Sequence, residues 1–264
     1  MKTFVKKLIP KGLLLYYKDK KNETNGRKNA RQRVGNTVLC PCCGKTFDRF
    51  IDFNITEDNN YDRFKDTYKR KICPYCFAAP RHRIICYYLD KNNQMSNGDI
   101  IMFGAEYSIR KWFDKKGYQY TMADLFDPTA DVKVDIQNTP FPNEKWGLIV
   151  CNHVLEHVND YKKALKELKR ILKKDGILEL TVPTDRSFET CYEDPCIVNK
   201  EERIRVFGQG DHMRIFGNDF EKTLTDLGFL VEVIDGNTLP ESIVGVIGPA
   251  DYDDNRVYIC RKQS

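Results

Sequence analysis

From residue 99 onward the apolar positions follow two alternating periods. Short apolar runs bounded by turn residues fall at 99–103 (DIIMF), 118–123, 132–134, 147–151 (GLIVC) and 177–182, and each reads as a buried strand. Between them, 109–116 and 160–172 carry apolar residues at helical spacing, and Gly176 reads as a helix stop. A long polar stretch, 184–216, precedes a helix at about 219–227 and two last strands at 230–234 and 257–261. Strands alternating with helices predict a doubly wound α/β domain with a seven-stranded, mostly parallel sheet. Ligands of such sheets bind beyond the carboxyl ends of the strands, near the topological switch point.

Ahead of this domain the pattern is set by cysteine. Of the 10 Cys in 264 residues, four form the knuckles Cys40-Pro-Cys-Cys43-Gly44 and Cys73-Pro-Tyr-Cys76. Two-residue spacing lets a tight turn aim two thiolates at one point, and two such turns supply the tetrahedral set of a closed, structural Zn²⁺ site. Cys42, inside the first knuckle, is an alternative ligand, and 47–53 reads as a strand or hairpin over the metal. The chain therefore divides into a basic amphipathic leader (1–36), a zinc-knuckle module (37–90) and an α/β domain (91–264).

Composition narrows the class. Hydrophobic residues make up 41% and charged residues 31%, and no apolar run reaches the roughly 20 residues that span a bilayer. The N-terminus lacks a small-residue cleavage site, which predicts a cytoplasmic location. The net charge of +5 is concentrated in the leader. Such a run reads first as a solvated, partly disordered tail; Phe4, Leu8, Leu13, Leu14, Leu15, Tyr16 and Tyr17 among its lysines also suit peripheral contact with an anionic membrane face, and RNA is the other anionic surface. Pro10 and Gly12 argue against one continuous helix there.

The strand ends carry the candidate chemistry. Gly104 and Glu106 follow the first strand, Asp124 ends the second, Asp135 with Ile136 follows the third, and Asn152 ends the fourth. Asp124 is placed to accept both hydroxyls of an adenosyl ribose, Asp135 to meet the adenine amino group, and Glu106 and Asn152 to meet the amino-acid end of the same cofactor. The segments DIQNTPFP, GLIVCNHVLEHV and ALKELKRILKKDGILELTVP resemble class I S-adenosylmethionine-dependent methyltransferases of the ubiquinone/menaquinone-methyltransferase type over about residues 99–183. The paired knuckles, Arg81-His82-Arg83, TCYEDP and FGQGDHMR are similar to a bacterial group that accompanies surface-glycan biosynthesis. One departure stands out: the glycine-rich turn of that family is here Gly104-Ala105-Glu106-Tyr107-Ser108, with one glycine left.

Three of the four histidines lie in two nearby motifs, His153-Val-Leu-Glu156-His157 and Gln209-Gly-Asp211-His212-Met-Arg214. A helical first segment would put His153, Glu156 and His157 on one face. Together with His212 they resemble the divalent-metal set of hydroxyl-directed methyltransferases, with a nitrogen-richer donor set that favours Zn²⁺, Mn²⁺ or Fe²⁺ over Mg²⁺. The bland alternative is a fold-level element with no metal. Without metal, His153 or His212, with Asp211 beside it, is the candidate general base. Tyr192, Asp194 and Arg214, from the 184–216 loop, are candidate acceptor contacts. The resemblance implies O-methylation of a sugar or another small polar acceptor; ribosomal RNA methylation and a degenerate, non-enzymatic binding module are the alternatives.

Overall fold

The computed structural model describes residues 10–54, 69–92, 99–245, 252–253 and 255–263. The first element among the described residues is α1 (Lys11–Ala30), which begins after Pro10 and runs through Gly12, so Gly12 does not interrupt it as expected. Pro10 sits just outside the helix, where its missing amide costs nothing, and its carbonyl accepts from Leu13 and Leu14. Gly12 falls in the first turn, where a glycine weakens a helix least. One side of α1 docks through Asp19, which is buried and accepts from Arg110 at 2.7 Å. Burial alone would raise that carboxyl, but Arg110 and Lys111 outweigh it and hold it below its ordinary range. Leu13, Tyr16 and Tyr17 remain exposed, while Phe4 and Leu8 lie outside the described residues.

The first knuckle closes the hairpin of β1 (Val38–Cys40) and β2 (Lys45–Phe47), paired antiparallel. The second follows the antiparallel pair β3 (Ile51–Asn54) and β4 (Lys69–Ile72), and leads into α2 (Pro80–Asn92). Phe47, Phe50, Ile84, Ile85 and Leu89 share one core with Ile100, Met102, Trp112 and Phe113. Helix α2 is thus at once the end of the cysteine module and a layer helix of the sheet.

The sheet is built from β5 (Ile100–Phe103), β6 (Thr121–Asp124), β7 (Val132–Lys133), β8 (Trp146–Asn152), β9 (Leu172–Thr181), β13 (Phe229–Asp235) and β15 (Arg256–Lys262). Their order is β13-β15-β9-β8-β5-β6-β7, and β15 runs antiparallel to both neighbours while the other pairs are parallel. From β5 the chain winds outward through β6 and β7, then returns to β8 on the other side. The switch point therefore lies between β5 and β8, as the α/β expectation requires. Helix α3 (Tyr107–Lys116) follows β5, and α4 (Tyr161–Ile171) precedes β9, burying Ala164, Leu165, Leu168 and Ile171 on the opposite sheet face.

Gly176 does not stop a helix. Helix α4 ends at Ile171, and β9 runs through Gly176 beside an irregular register near Trp146–Leu148. A Cβ at Gly176 would sit 3.1 Å from the Gly147 carbonyl oxygen, so close strand approach is what needs the glycine. Two short ladders complete the C-terminal face: β10 (Thr184–Asp185) with β14 (Tyr252–Asp253), and β11 (Tyr192–Glu193) with β12 (Arg214–Ile215). Helices α5 (Lys200–Phe207), α6 (Phe220–Asp226) and α7 (Glu241–Val244) link these pieces.

Candidate active site

A cleft of about 810 Å³ opens at the carboxyl ends of β5, β6 and β8. Gly104, Asp124, Asp135, Ile136, His153, His157 and Asp211 are among the residues that line it. Gly104 has φ of 64°, and a Cβ there would lie 2.9 Å from Val154 Cγ2 and 3.3 Å from the Asn152 carbonyl oxygen. The one retained glycine therefore sits where a side chain would press on the end of β8 and the turn that follows it.

Asp124 Oδ1 accepts the amides of Phe126 and Asp127 at 2.7 and 2.8 Å. Among the described residues its Oδ2 has no hydrogen-bond partner, so one oxygen is fixed and the other is left for a ligand. Asp135 is held by the backbone and side-chain amides of Gln137, at 2.8 and 3.1 Å to Oδ1. Leu125 and Phe126 form an apolar rim beside these acids, and Phe126 is 87% exposed. Sequence reasoning missed this rim, although an exposed apolar pair directly after a strand-end acid is a legible signal.

Other strand-end residues serve elsewhere. Asn152 is buried; its Nδ2 donates to Glu179 Oε2 at 3.1 Å and its Oδ1 accepts from Thr181 Oγ1 at 2.6 Å. Glu179 is wholly buried, and burial pushes its carboxyl up to about 8. Glu106 faces the cysteine module: Oε1 accepts from Arg81 and Oε2 pairs with His82 Nε2, both at 2.6 Å. Burial would raise Glu106, but Arg81 and His82 hold it far below the carboxylate range.

The segment after β8 is not a helix but a turn, entered through His153 at φ 51°. The helical i, i+3, i+4 spacing therefore does not explain what comes together. The turn still folds both histidines onto Glu156: His153 Nδ1 lies 3.0 Å from Oε1, and His157 Nε2 lies 4.0 Å from it. His212 arrives from the loop before β12, its ring centroid 4.8 Å from that of His157. Its Nδ1 donates to the Phe207 carbonyl at 3.0 Å, which leaves Nε2 as a lone-pair acceptor, buried and without a hydrogen bond. Both Glu156 oxygens are likewise buried without a hydrogen bond. Ligand atoms of Glu156, His157 and His212 all fall within 4.8 Å of one another. Burial pushes Glu156 up, but the surrounding imidazoles, His153 first, hold it below its ordinary value; burial pushes His212 down.

The substrate-side candidates are spread out. Arg214 is buried and donates to the carbonyls of Leu155 at 2.8 Å and Asn159 at 2.9 Å, so it braces the histidine turn. Tyr192 stacks on Phe188, and Asp194 caps the amide of Cys196. Neither lines the cleft, whereas Arg203, Asn159 and Met213 do.

Across the molecule, Cys40 Sγ lies 3.6 Å from Cys76 Sγ, and Cys43 Sγ 3.8 Å from Cys73 Sγ. All four sulfurs fall within 4.8 Å of one another. Cys42 is outside the set, its Sγ turned to the His82 carbonyl at 3.2 Å.

The strand order, the cleft at the switch point and the strand-end acids define an α/β methyltransferase fold with a mostly parallel seven-stranded sheet. Residues 104–232 match the family described as "Methyltransferase domain". The human mitochondrial arginine-hydroxylase NDUFAF5 is 25% identical over 186 residues, covering 69% of this chain and 50% of that protein. Demethylmenaquinone methyltransferase of Staphylococcus saprophyticus is 37% identical over 62 residues, covering 22% of this chain and 27% of the other. The YcgJ structure from Bacillus subtilis superposes on 69% of this chain and 100% of that one, with a TM-score of 0.46 and 14% identity. The chain spans half or less of the length of the first curated relatives it matches. Among the described residues, no helix is long and apolar enough to cross a membrane.

Proposed function

We propose that this protein transfers a methyl group from S-adenosylmethionine to a hydroxyl oxygen of a small polar acceptor such as a sugar. The observation that carries the reading is that Asp124 and Asp135 line the same cleft as His153, whose ring is oriented by the buried Glu156. The acids suit the ribose and adenine of the donor, with Leu125 and Phe126 beside the base. The donor supplies an electrophilic methyl carbon. An acceptor hydroxyl in the cleft would give its proton to His153, while its oxygen takes the methyl group and S-adenosylhomocysteine remains.

Two metal sites belong to this reading. Cys40, Cys43, Cys73 and Cys76 suit a structural Zn²⁺, since a tetrahedron with Zn–S bonds of about 2.3 Å has edges near 3.8 Å, matching the cross-knuckle separations of 3.6 and 3.8 Å. Glu156, His157 and His212 suit a second divalent ion: Glu156 Oε2 and His212 Nε2 are buried without a hydrogen bond, and Glu156 Oε1 is approached by His153 Nδ1 at 3.0 Å. A cation there would satisfy all of them and polarise the acceptor.

The test is incubation with methyl-labelled donor and either a low-mass cell extract or ribosomal RNA. Label in the low-mass fraction, lost in His153→Ala and on adding chelator, is the expected result. Label in RNA would move the acceptor to nucleic acid. Oxygen uptake without methyl transfer would overturn the reading.

A further inference from the structure

The turn that follows β5 has lost most of the glycine usual at that place, yet it bends sharply at Gly104 and continues through Ala105 and Glu106 into α3. Glu106 occupies the position before α3 but makes no side-chain cap there. Its carboxylate turns instead toward Arg81 and His82, in the first turn of α2, just past the second knuckle.

The contact is built rather than incidental. His82 Nδ1 accepts from the Ala79 amide at 3.1 Å and from Ser108 Oγ at 2.8 Å. A ring nitrogen facing a backbone N–H carries no proton, so the proton sits on Nε2 and is donated to Glu106. His82 thereby links the knuckle exit to Glu106 in the donor turn and to Ser108 in the first turn of α3. Arg81 is buried behind it, and its bond to Glu106 is a charge-assisted contact sheltered from solvent. At the far end of α3, Lys115 Nζ donates to the Cys43 carbonyl at 3.0 Å. Both ends of α3 are therefore tied to the two cysteine knuckles. Arg83 fixes the module itself, donating to the Ile243 carbonyl at 2.8 Å.

We propose that Arg81 and His82 are positioning residues for the donor: they hold Glu106, and so shape the turn Gly104–Glu106 that receives the amino-acid half of S-adenosylmethionine. A glycine-rich turn must be ordered when the ligand binds, whereas side-chain struts order this one in advance. The cysteine module is then part of the donor site. This rests on the S-adenosylmethionine reading above.

The experiment is calorimetric titration of the full chain with S-adenosylhomocysteine and with 5′-methylthioadenosine, which lacks the amino-acid end. Binding of both by the wild type is the precondition set by the functional reading, and its absence would overturn that reading and this one together. Given binding, Arg81→Gln and His82→Gln should each weaken S-adenosylhomocysteine at least tenfold and leave 5′-methylthioadenosine unchanged. In a Glu106→Gln background, Arg81→Gln should add little, because it acts through that carboxylate. Wild-type affinity in the folded variants, or equal losses for both ligands, would overturn the proposal. Should Arg81→Gln not fold, Glu106→Gln alone carries the same ligand comparison.

Discussion

Glu179 makes the account sensitive to pH in a way that can be measured. It lies inside β9, wholly buried, accepting one hydrogen bond from Asn152, and its carboxyl is pushed from 4.5 up to about 8. Between those values the folded chain keeps a proton that the unfolded chain releases. Stability is therefore full below pH 4.5 and is lost as pH rises toward 8. At roughly 1.4 kcal/mol per pH unit, the loss is on the order of 5 kcal/mol as an upper bound, enough to consume much of a typical domain's stability. Glu179→Gln keeps an acceptor for Asn152 and cannot ionise. Urea unfolding of both proteins at about pH 5 and about pH 8 isolates the effect, because every other titrating group is common to them. The wild type should lose several kcal/mol more than the variant between the two pH values, and the variant should be the more stable at the higher one. Equal losses would refute a carboxyl held protonated in the core.

Further outcomes follow from the same geometry. Gly104→Ala should cost about 2–4 kcal/mol in urea unfolding, from a left-handed backbone plus overpacking against Val154, whereas Gly117→Ala, left-handed with open space around it, should cost only about 1–2 kcal/mol. Equal costs would remove the close approach at the switch point. Cys73→Ser should release bound zinc and lower the melting temperature, because metal binding is folding free energy; metal analysis of the purified wild type finding no zinc would contradict the four-thiolate site. His212→Gln should abolish binding of Mn²⁺ at the histidine cluster, read by paramagnetic relaxation, while the zinc content stays unchanged; retained Mn²⁺ binding would move that site elsewhere.

Much of the sheet could be read from the sequence because its strands are buried on both faces and announce themselves as unbroken apolar runs, 99–103 and 147–151 above all. Gly176 misled because a glycine after a helix and a glycine under a neighbouring strand look alike until the Gly147 carbonyl is in place. Helix α1 was hidden by Pro10 and Gly12, whose penalties vanish at a helix start, and by an anchor, Arg110, that lies far along the chain. The cysteines needed only spacing, but the exclusion of Cys42 needed the His82 carbonyl. Strand-end logic found Asp124 and Asp135 as cleft residues, yet could not foresee that Asn152 would be occupied by Glu179 and Thr181, or Glu106 by Arg81 and His82. Those contacts join segments 20 or more residues apart, where local pattern carries no information. The histidines were singled out by their rarity, and a left-handed residue at His153 rather than a helix brings two of them to Glu156.

The most direct measurement is calorimetric titration of S-adenosylhomocysteine into the wild type and into Asp124→Ala. The wild type should bind one equivalent, and the variant, still folded, should lose about 1–3 kcal/mol of binding free energy, the cost of leaving buried hydroxyls unpaired. A wild type that takes up no S-adenosylhomocysteine, or a variant that binds it with unchanged affinity, would contradict the placement of the donor in the cleft at the ends of β5, β6 and β8.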